Sequence, residues 1–177
     1  MRKKVFLIVV CLLLVSVGLA LMLHAEGERG HRQGKRNSFA QSAPANAEYS
    51  AACGECHFAY QPWLLPAASW KKHLAGLEDH FGSVVVLSPA QRQNLGTYLA
   101  ENAADTSSDR RARRMLQGVE GQAPLRITEL PCIQRKHHSL DAGALKRPSV
   151  GGLGNCPACH TTAAQGDDDD RNVRIPQ

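Results

Sequence analysis

The sequence predicts a mostly α-helical protein, and three observations support this fold class. Apolar side chains recur at helical spacing between Trp70 and Phe81. The segment Ser88-Pro89-Ala90-Gln91 offers a capping serine, a proline for the first turn and a glutamine that completes a capping box. No stretch of useful length alternates between apolar and polar residues, as a half-buried strand does. We therefore expect helices joined by turns.

The residues before Glu48 are expected to lie outside the folded part. Basic residues at 2–4 precede an uninterrupted apolar run over 5–23, the pattern of an export signal or a membrane anchor. As a helix this run is about 28 Å long, close to the thickness of a hydrocarbon core, which favours an uncleaved anchor. We assign residues 1–25 to a signal peptide or anchor and residues 26–47, rich in Gly, Ser, Gln and Arg, to a flexible tether.

The charge distribution excludes one class of function. Residues 1–25 carry a net charge of +3 and residues 26–47 carry +2, whereas 14 basic residues balance 14 acidic ones from Glu48 onward. A basic nucleic-acid-binding surface is therefore not expected on the folded part, residues 48–177. Aromatic residues make up only 5% of the chain, so we expect a cofactor, metal or disulfides to supplement a small core.

Two helices are predicted in the first half of the folded part. The first runs from about Ser69 to Phe81, and Gly82 ends it. The second begins at the capping box and reaches about Asn102.

Less regular structure is expected after the second helix. Residues 105–114 form a charged break, and we interpret their four arginines as a solvent-exposed helix face rather than a docking patch. A stretch rich in Pro and Gly, residues 146–154, precedes the second cysteine motif.

Two short motifs carry the chemistry. Residues 53–57 (CGECH) and 156–160 (CPACH) both have the form C-x-x-C-H, which attaches c-type haem. On one helical turn the two thiols reach the haem vinyl groups and the histidine points at the iron. We therefore predict two covalently bound haem c groups. The expected thioether and proximal-ligand residues are Cys53, Cys56, Cys156, Cys159, His57 and His160.

Other interpretations explain these motifs less well. A zinc site formed by all four cysteines would have halves about 100 residues apart, whereas zinc-site spacings are much shorter. Two disulfides, or a thioredoxin-like dithiol, would leave the histidine after each cysteine pair unexplained.

The second axial ligand of each iron decides between an electron carrier and an enzyme. Only Met115 lies in the folded part, so two methionine-ligated haems are excluded. His73, His80, His137 and His138 remain, enough for bis-histidine ligation of both irons and hence for closed, low-spin haems of low potential. The residue pattern does not choose between His73 and His80, or between His137 and His138.

The folded part resembles the dihaem cytochrome c family of bacterial periplasmic electron carriers. The similarity includes C-x-x-C-H-x-A-Y-Q-P-x-L-L-P-x-x-S-W and L-E-D-H-F-G within residues 53–82, and continues in 126–137 and 155–176. It implies two bis-histidine haems, with His80 and His137 as the additional ligands, and we expect two haem-binding subdomains around the two motifs. His73 and His138 then become bystanders.

The resemblance also implies partners and a location. Family members pass electrons between a membrane donor, often a b-type cytochrome, and a soluble haem-protein acceptor. We therefore expect a periplasmic electron-transfer protein rather than an enzyme, tethered to the inner membrane if residues 5–23 are retained. The alternative is a haem enzyme or gas-binding sensor, similar to a small peroxidase, in which one iron lacks its second histidine.

Four further side chains are assigned roles by the sequence. We expect Tyr60, Trp63 and Trp70 to pack against haem rather than to undergo redox chemistry. Cys132 stands where the family more often has a bulky aromatic residue, and we interpret it as a buried thiol.

Overall fold

The computed structural model describes residues 43–177, which fall within one compact unit. The expected haem-binding subdomains are therefore parts of one body. The predicted leader, residues 1–25, lies outside the described residues, as does the predicted tether up to residue 42. Within 43–177, no helix is long and apolar enough to cross a membrane.

The described residues are mostly helical, as predicted. In chain order the α-helices are α1 (Ala47–Gly54), α2 (Ala67–Ala75), α3 (Pro89–Glu101), α4 (Arg110–Met115), α5 (Pro131–His137), α6 (Ala142–Leu145) and α7 (Cys156–Cys159). Short 3₁₀ turns lie at Pro62–Leu64, Leu77–Asp79, Ile127–Glu129, Ala163–Gln165 and Asp170–Asn172. This part of the chain contains no strand, only isolated bridges between His80 and Ser83 and between His160 and Val173.

The first predicted helix is shorter than expected. It ends at Ala75, where the N–H of Gly76 donates to the carbonyl of His73, because glycine favours leaving the helix. The following 3₁₀ turn still buries Leu77, but Phe81 has a positive φ of 56° and is 48% exposed. The prediction that Phe81 lies on the apolar helix face is therefore wrong.

The second predicted helix is confirmed. Ser88 and Gln91 form the expected capping box at the start of α3, and the C-cap is Asn102. Leu95 and Leu99 are almost fully buried. Arg92 ties α3 to α2, since its guanidinium donates to the carbonyl of Leu74.

The interpretation of residues 105–114 as a charged break is wrong in part. Asp109 caps α4, and Ala112 and Met115 are buried because their spacing of three gives this short helix one apolar side. Three of the arginines are exposed, as expected, but Arg111 is half-buried.

The core lies between α2, α3, α4 and α5. Its largest fully buried side chains are Leu65, Leu95, Leu99, Leu130 and Pro62. The two motif segments, at the end of α1 and in α7, lie at the edge of this core with their cysteines half-buried or exposed.

Candidate haem sites

Site 1 is formed by the end of α1 and the loop after α2. It comprises Cys53, Cys56, His57 and His80. Cys53 is half-buried in the last turn of α1, whereas Cys56 and His57 follow the helix and are exposed. The first motif therefore does not lie on one helical turn, because its second half extends past the end of α1. His80 is held by paired backbone hydrogen bonds with Ser83, of 2.7 and 3.2 Å.

The two histidine rings of site 1 lie close together. Their ring centroids lie 6.2 Å apart and their planes differ by 22°. Nδ1 of His57 lies 2.7 Å from the carbonyl of Phe58, which leaves Nε2 as its free ring nitrogen.

Site 2 is formed by α7 and the end of α5. It comprises Cys156, Cys159, His160 and His137. Both cysteines lie in the single turn of α7, and His160 follows directly. The C-terminal segment secures this turn, because the N–H of Arg174 donates to the carbonyl of Cys159 over 2.8 Å.

The histidines of site 2 are spaced almost as those of site 1. The ring centroids of His137 and His160 are 6.0 Å apart, with planes 64° apart. His137 is the last residue of α5, and its Nδ1 lies 2.8 Å from the carbonyl of Ile133. As in His57, this contact leaves Nε2 available to a metal.

The residues present fit two haem irons. A metal–imidazole bond is about 2.0–2.1 Å long, so two imidazoles on opposite sides of one metal have ring centres about 6 Å apart. Both histidine pairs have this separation, at 6.2 and 6.0 Å. Each pair also lies beside two cysteines that carry free thiols.

The other two candidate histidines lie differently. The ring of His73 packs against His80 at 5.5 Å and against Trp70 at 5.7 Å. His138 is exposed, and its Nδ1 lies 2.8 Å from the carbonyl of Arg135.

The surroundings of one histidine in each site, His80 and His160, favour its neutral form. Burial, and then the neighbouring His57, lower the pKa of His80. Burial and His137 lower the pKa of His160, although Asp168 and Asp170 act in the opposite direction. A neutral imidazole is the form that binds a metal, so both shifts favour ligation.

The two motifs do not converge on another kind of site. Within residues 43–177, no three His, Cys, Asp or Glu side chains come together as a metal site. The five cysteines of this region are all unpaired, and burial raises the pKa of the Cys53 thiol to about 11. Neither a zinc site nor a disulfide pair is therefore supported.

The three aromatic side chains assigned to haem packing have different surroundings. Trp63 and Trp70 are buried in the core, and Nε1 of Trp70 donates to the carbonyl of Pro62 over 2.7 Å. Of the three, Tyr60 has a ring contact with a motif histidine, at 5.3 Å from His57.

Sequence reasoning missed two groups near the sites. Phe81 packs edge-on against His80 at 4.9 Å, and the guanidinium of Arg126 lies 4.0 Å from the Phe81 ring centroid. Arg111 contacts Asp168, a residue that influences the pKa of His160. Gly76, which lies within the apolar pattern, was the available sign that the helix ends before Phe81, because glycine often marks a turn.

Comparisons with known proteins show the family of this chain. The family model for dihaem cytochrome c matches residues 49–167. A diheme cytochrome c structure from Rhodobacter sphaeroides is 39% identical, covering 71% of this chain and 98% of its own, with a TM-score of 0.63. One from Shewanella baltica OS155 is 35% identical, covering 75% of this chain and 94% of its own, with a TM-score of 0.61. A search of curated proteins found no match.

Two conclusions about this chain follow from these matches. The chain has two covalently bound haem c groups as cofactors, and its role is that of an electron carrier. With its helical fold, its two motifs and these matches, the chain belongs to the dihaem cytochrome c family.

Proposed function

We propose that the protein is a periplasmic electron carrier in which each haem iron has two histidine ligands. The observation that carries this proposal is the pairing of each motif histidine with one further histidine at the same distance: His57 with His80 at 6.2 Å, and His137 with His160 at 6.0 Å. His80 and His137 are the second axial ligands.

Each residue of the two sites has a defined task in this proposal. Cys53, Cys56, Cys156 and Cys159 form the thioethers. Each haem supplies a one-electron couple between ferric and ferrous iron. Two of the chain's histidines would hold each iron, which would leave neither iron a free position for a substrate or gas. This arrangement favours a carrier over the small peroxidase-like enzyme or gas sensor.

The two sites differ in their access to solvent. Cys56 and His57 of site 1 are exposed, as is the neighbouring Phe81, whereas Cys156, Cys159 and His160 of site 2 are at least partly buried. We propose that redox partners approach site 1. By family resemblance these partners are a membrane b-type cytochrome as donor and a soluble haem protein as acceptor.

The proposed location depends on the N-terminal segments. Residues 1–25 export the protein and, if retained, tether it to the inner membrane, with residues 26–47 as the linker and 48–177 as the dihaem domain. The support for this is the apolar run over residues 5–23 and the extracytoplasmic attachment of haem c. Comparing the mass of periplasmic and membrane-bound protein with that of the full chain tests whether the leader is retained.

Four single variants test the ligand assignment. We expect His80→Ala and His137→Ala each to convert one haem to a high-spin form that binds carbon monoxide in its reduced state. His73→Leu and His138→Ala are the matched controls, because each changes a histidine beside a proposed ligand, and both should keep the parent's low-spin spectrum. A spectrum of His80→Ala or His137→Ala that matches the parent would show that the removed histidine is not a ligand.

A further inference from the structure

The segment that follows the first motif packs directly on the segment that carries the second. The Tyr60 hydroxyl donates to the carbonyl of Gly154 over 2.7 Å, and the Gln61 side-chain amide donates to the carbonyl of Ala164 at 3.4 Å. These contacts join residues about 100 positions apart. The two hydrogen bonds therefore link the segment after the first motif to the segment that carries the second.

Tyr60 contacts both sites with one side chain. Its ring centroid lies 5.3 Å from that of His57, with the planes 36° apart. Its hydroxyl reaches the backbone two residues before Cys156. Tyr60 is itself held, because its carbonyl accepts a 2.6 Å hydrogen bond from the Tyr49 hydroxyl.

The backbone that accepts this hydrogen bond is rich in glycine, and its other hydrogen bonds are local, such as that from the Cys156 N–H to the Gly154 carbonyl at 3.0 Å. Gly151 and Gly152 precede it with φ values of 70° and 101°, conformations that glycine adopts without strain. A side-chain hydrogen bond to such a glycine-rich stretch restricts a backbone with many accessible conformations. Gly154 also leaves room for the contact, since a Cβ there would lie 3.1 Å from the Tyr60 oxygen.

We propose that Tyr60 is a positioning residue that fixes site 1 relative to site 2 and thereby sets the rate of electron exchange between the two haems. This inference rests on the proposed function. In the exchange, one electron leaves the ferrous iron of one haem and reduces the ferric iron of the other. No bond forms or breaks and no proton moves. Tyr60 is neither oxidised nor deprotonated, and acts only through its ring contact and its hydrogen bond.

Tyr60→Phe tests the proposal, because it keeps the ring beside His57 and removes only the hydroxyl. Gly154→Ala tests the same contact from site 2, because the added methyl group would lie 3.1 Å from the Tyr60 hydroxyl and push it a few tenths of an ångström away. Tyr98→Phe is the matched control, since the Tyr98 hydroxyl also donates to a backbone carbonyl, that of Pro44, at 3.1 Å. All three are made in the full, haem-loaded protein.

The first readout is electron exchange in half-reduced protein, measured from the exchange broadening of haem methyl signals in NMR spectra. We expect a several-fold slower exchange in Tyr60→Phe and in Gly154→Ala, with both haems still low-spin, and the parent rate in Tyr98→Phe. The second readout is amide hydrogen exchange over residues 151–156, which should become faster in Tyr60→Phe because a restraint on this backbone is lost.

The outcomes separate this inference from the proposed function. An exchange rate in Tyr60→Phe equal to that of the parent would overturn the positioning role, as would an equal slowing in Tyr98→Phe. A parent protein with a high-spin haem that binds carbon monoxide would instead contradict the bis-histidine proposal, and it is detected before any rate is measured.

Discussion

Replacing Arg111 by glutamine is expected to weaken the attachment of the C-terminal segment to the core. The Arg111 guanidinium forms ion pairs with Asp109 at 3.1 Å and with Asp168 at 2.7 Å, and it lies 5.0 Å from the centroid of the Trp63 ring. It thus connects α4 to the 3₁₀ turn after the first motif and to the segment after the second.

The magnitude follows from these contacts. A hydrogen bond to a charged group contributes about 1.5–3 kcal/mol, and partial exposure places both Arg111 ion pairs at the lower end of this range. The cation–π contact adds about 0.5–1 kcal/mol. Because glutamine retains one donor group, we expect Arg111→Gln to lower the free energy of unfolding by about 2–3 kcal/mol at pH 7.

The pH dependence of this loss gives a second check. Burial works to raise the pKa of Asp109, but hydrogen bonds and charge from Arg111 outweigh it, so the pKa lies below its ordinary value. A lowered carboxyl pKa stabilises the fold above the unfolded value of about 3.9, and this contribution disappears as the pH falls through the folded pKa. The difference between parent and variant should therefore shrink below about pH 4.

Urea denaturation at pH 7 and pH 3 measures both effects. Arg114→Gln is the matched control, because Arg114 is exposed on the same helix, and it should change the unfolding free energy by less than about 0.5 kcal/mol. Equal losses in the two variants, or a loss in Arg111→Gln that is unchanged at pH 3, would refute this account of Arg111.

Three further predictions concern the sites and the core. Electron paramagnetic resonance of the oxidised protein should show two different low-spin signals. The histidine planes differ by 22° in site 1 and by 64° in site 2, and the angle between the planes of two ligand imidazoles sets the splitting of the iron d orbitals. A single shared signal would contradict this difference between the sites. Leu95→Ala should cost about 2–5 kcal/mol in urea denaturation, since Leu95 is fully buried, and a cost below that range would contradict its place in the core. The Cys132 thiol, 7% exposed, should react with a thiol reagent only after unfolding; labelling of the native protein would show that it is accessible.

The local features of the fold were predictable from the sequence. The capping box of α3 depends on residues within four positions of one another, and its apolar stripe depends on helical periodicity. The predicted end of α2 was wrong because the buried Leu77 continues the helical spacing of apolar residues through a 3₁₀ turn. Periodicity alone therefore does not show that the helix ends at Gly76.

The long-range features of the sites were not predictable from spacing. His73 and His80 have equivalent positions in the apolar pattern, and only the folded chain brings the ring of His80 within 6.2 Å of that of His57. Arg111 is one of four arginines within residues 110–114, and their sequence surroundings are alike. Its partner Asp168 is 57 residues away, so no local pattern distinguishes Arg111 from its exposed neighbours.

The most direct test of the bis-histidine proposal is the optical spectrum of the reduced, haem-loaded protein with and without carbon monoxide. Two low-spin haems whose spectrum does not change on addition of the gas are the predicted result, because under this proposal His57 with His80 and His160 with His137 would leave neither iron an open position. A change in the spectrum of one haem would show an iron with an open position, and the protein would then be a haem enzyme or gas sensor.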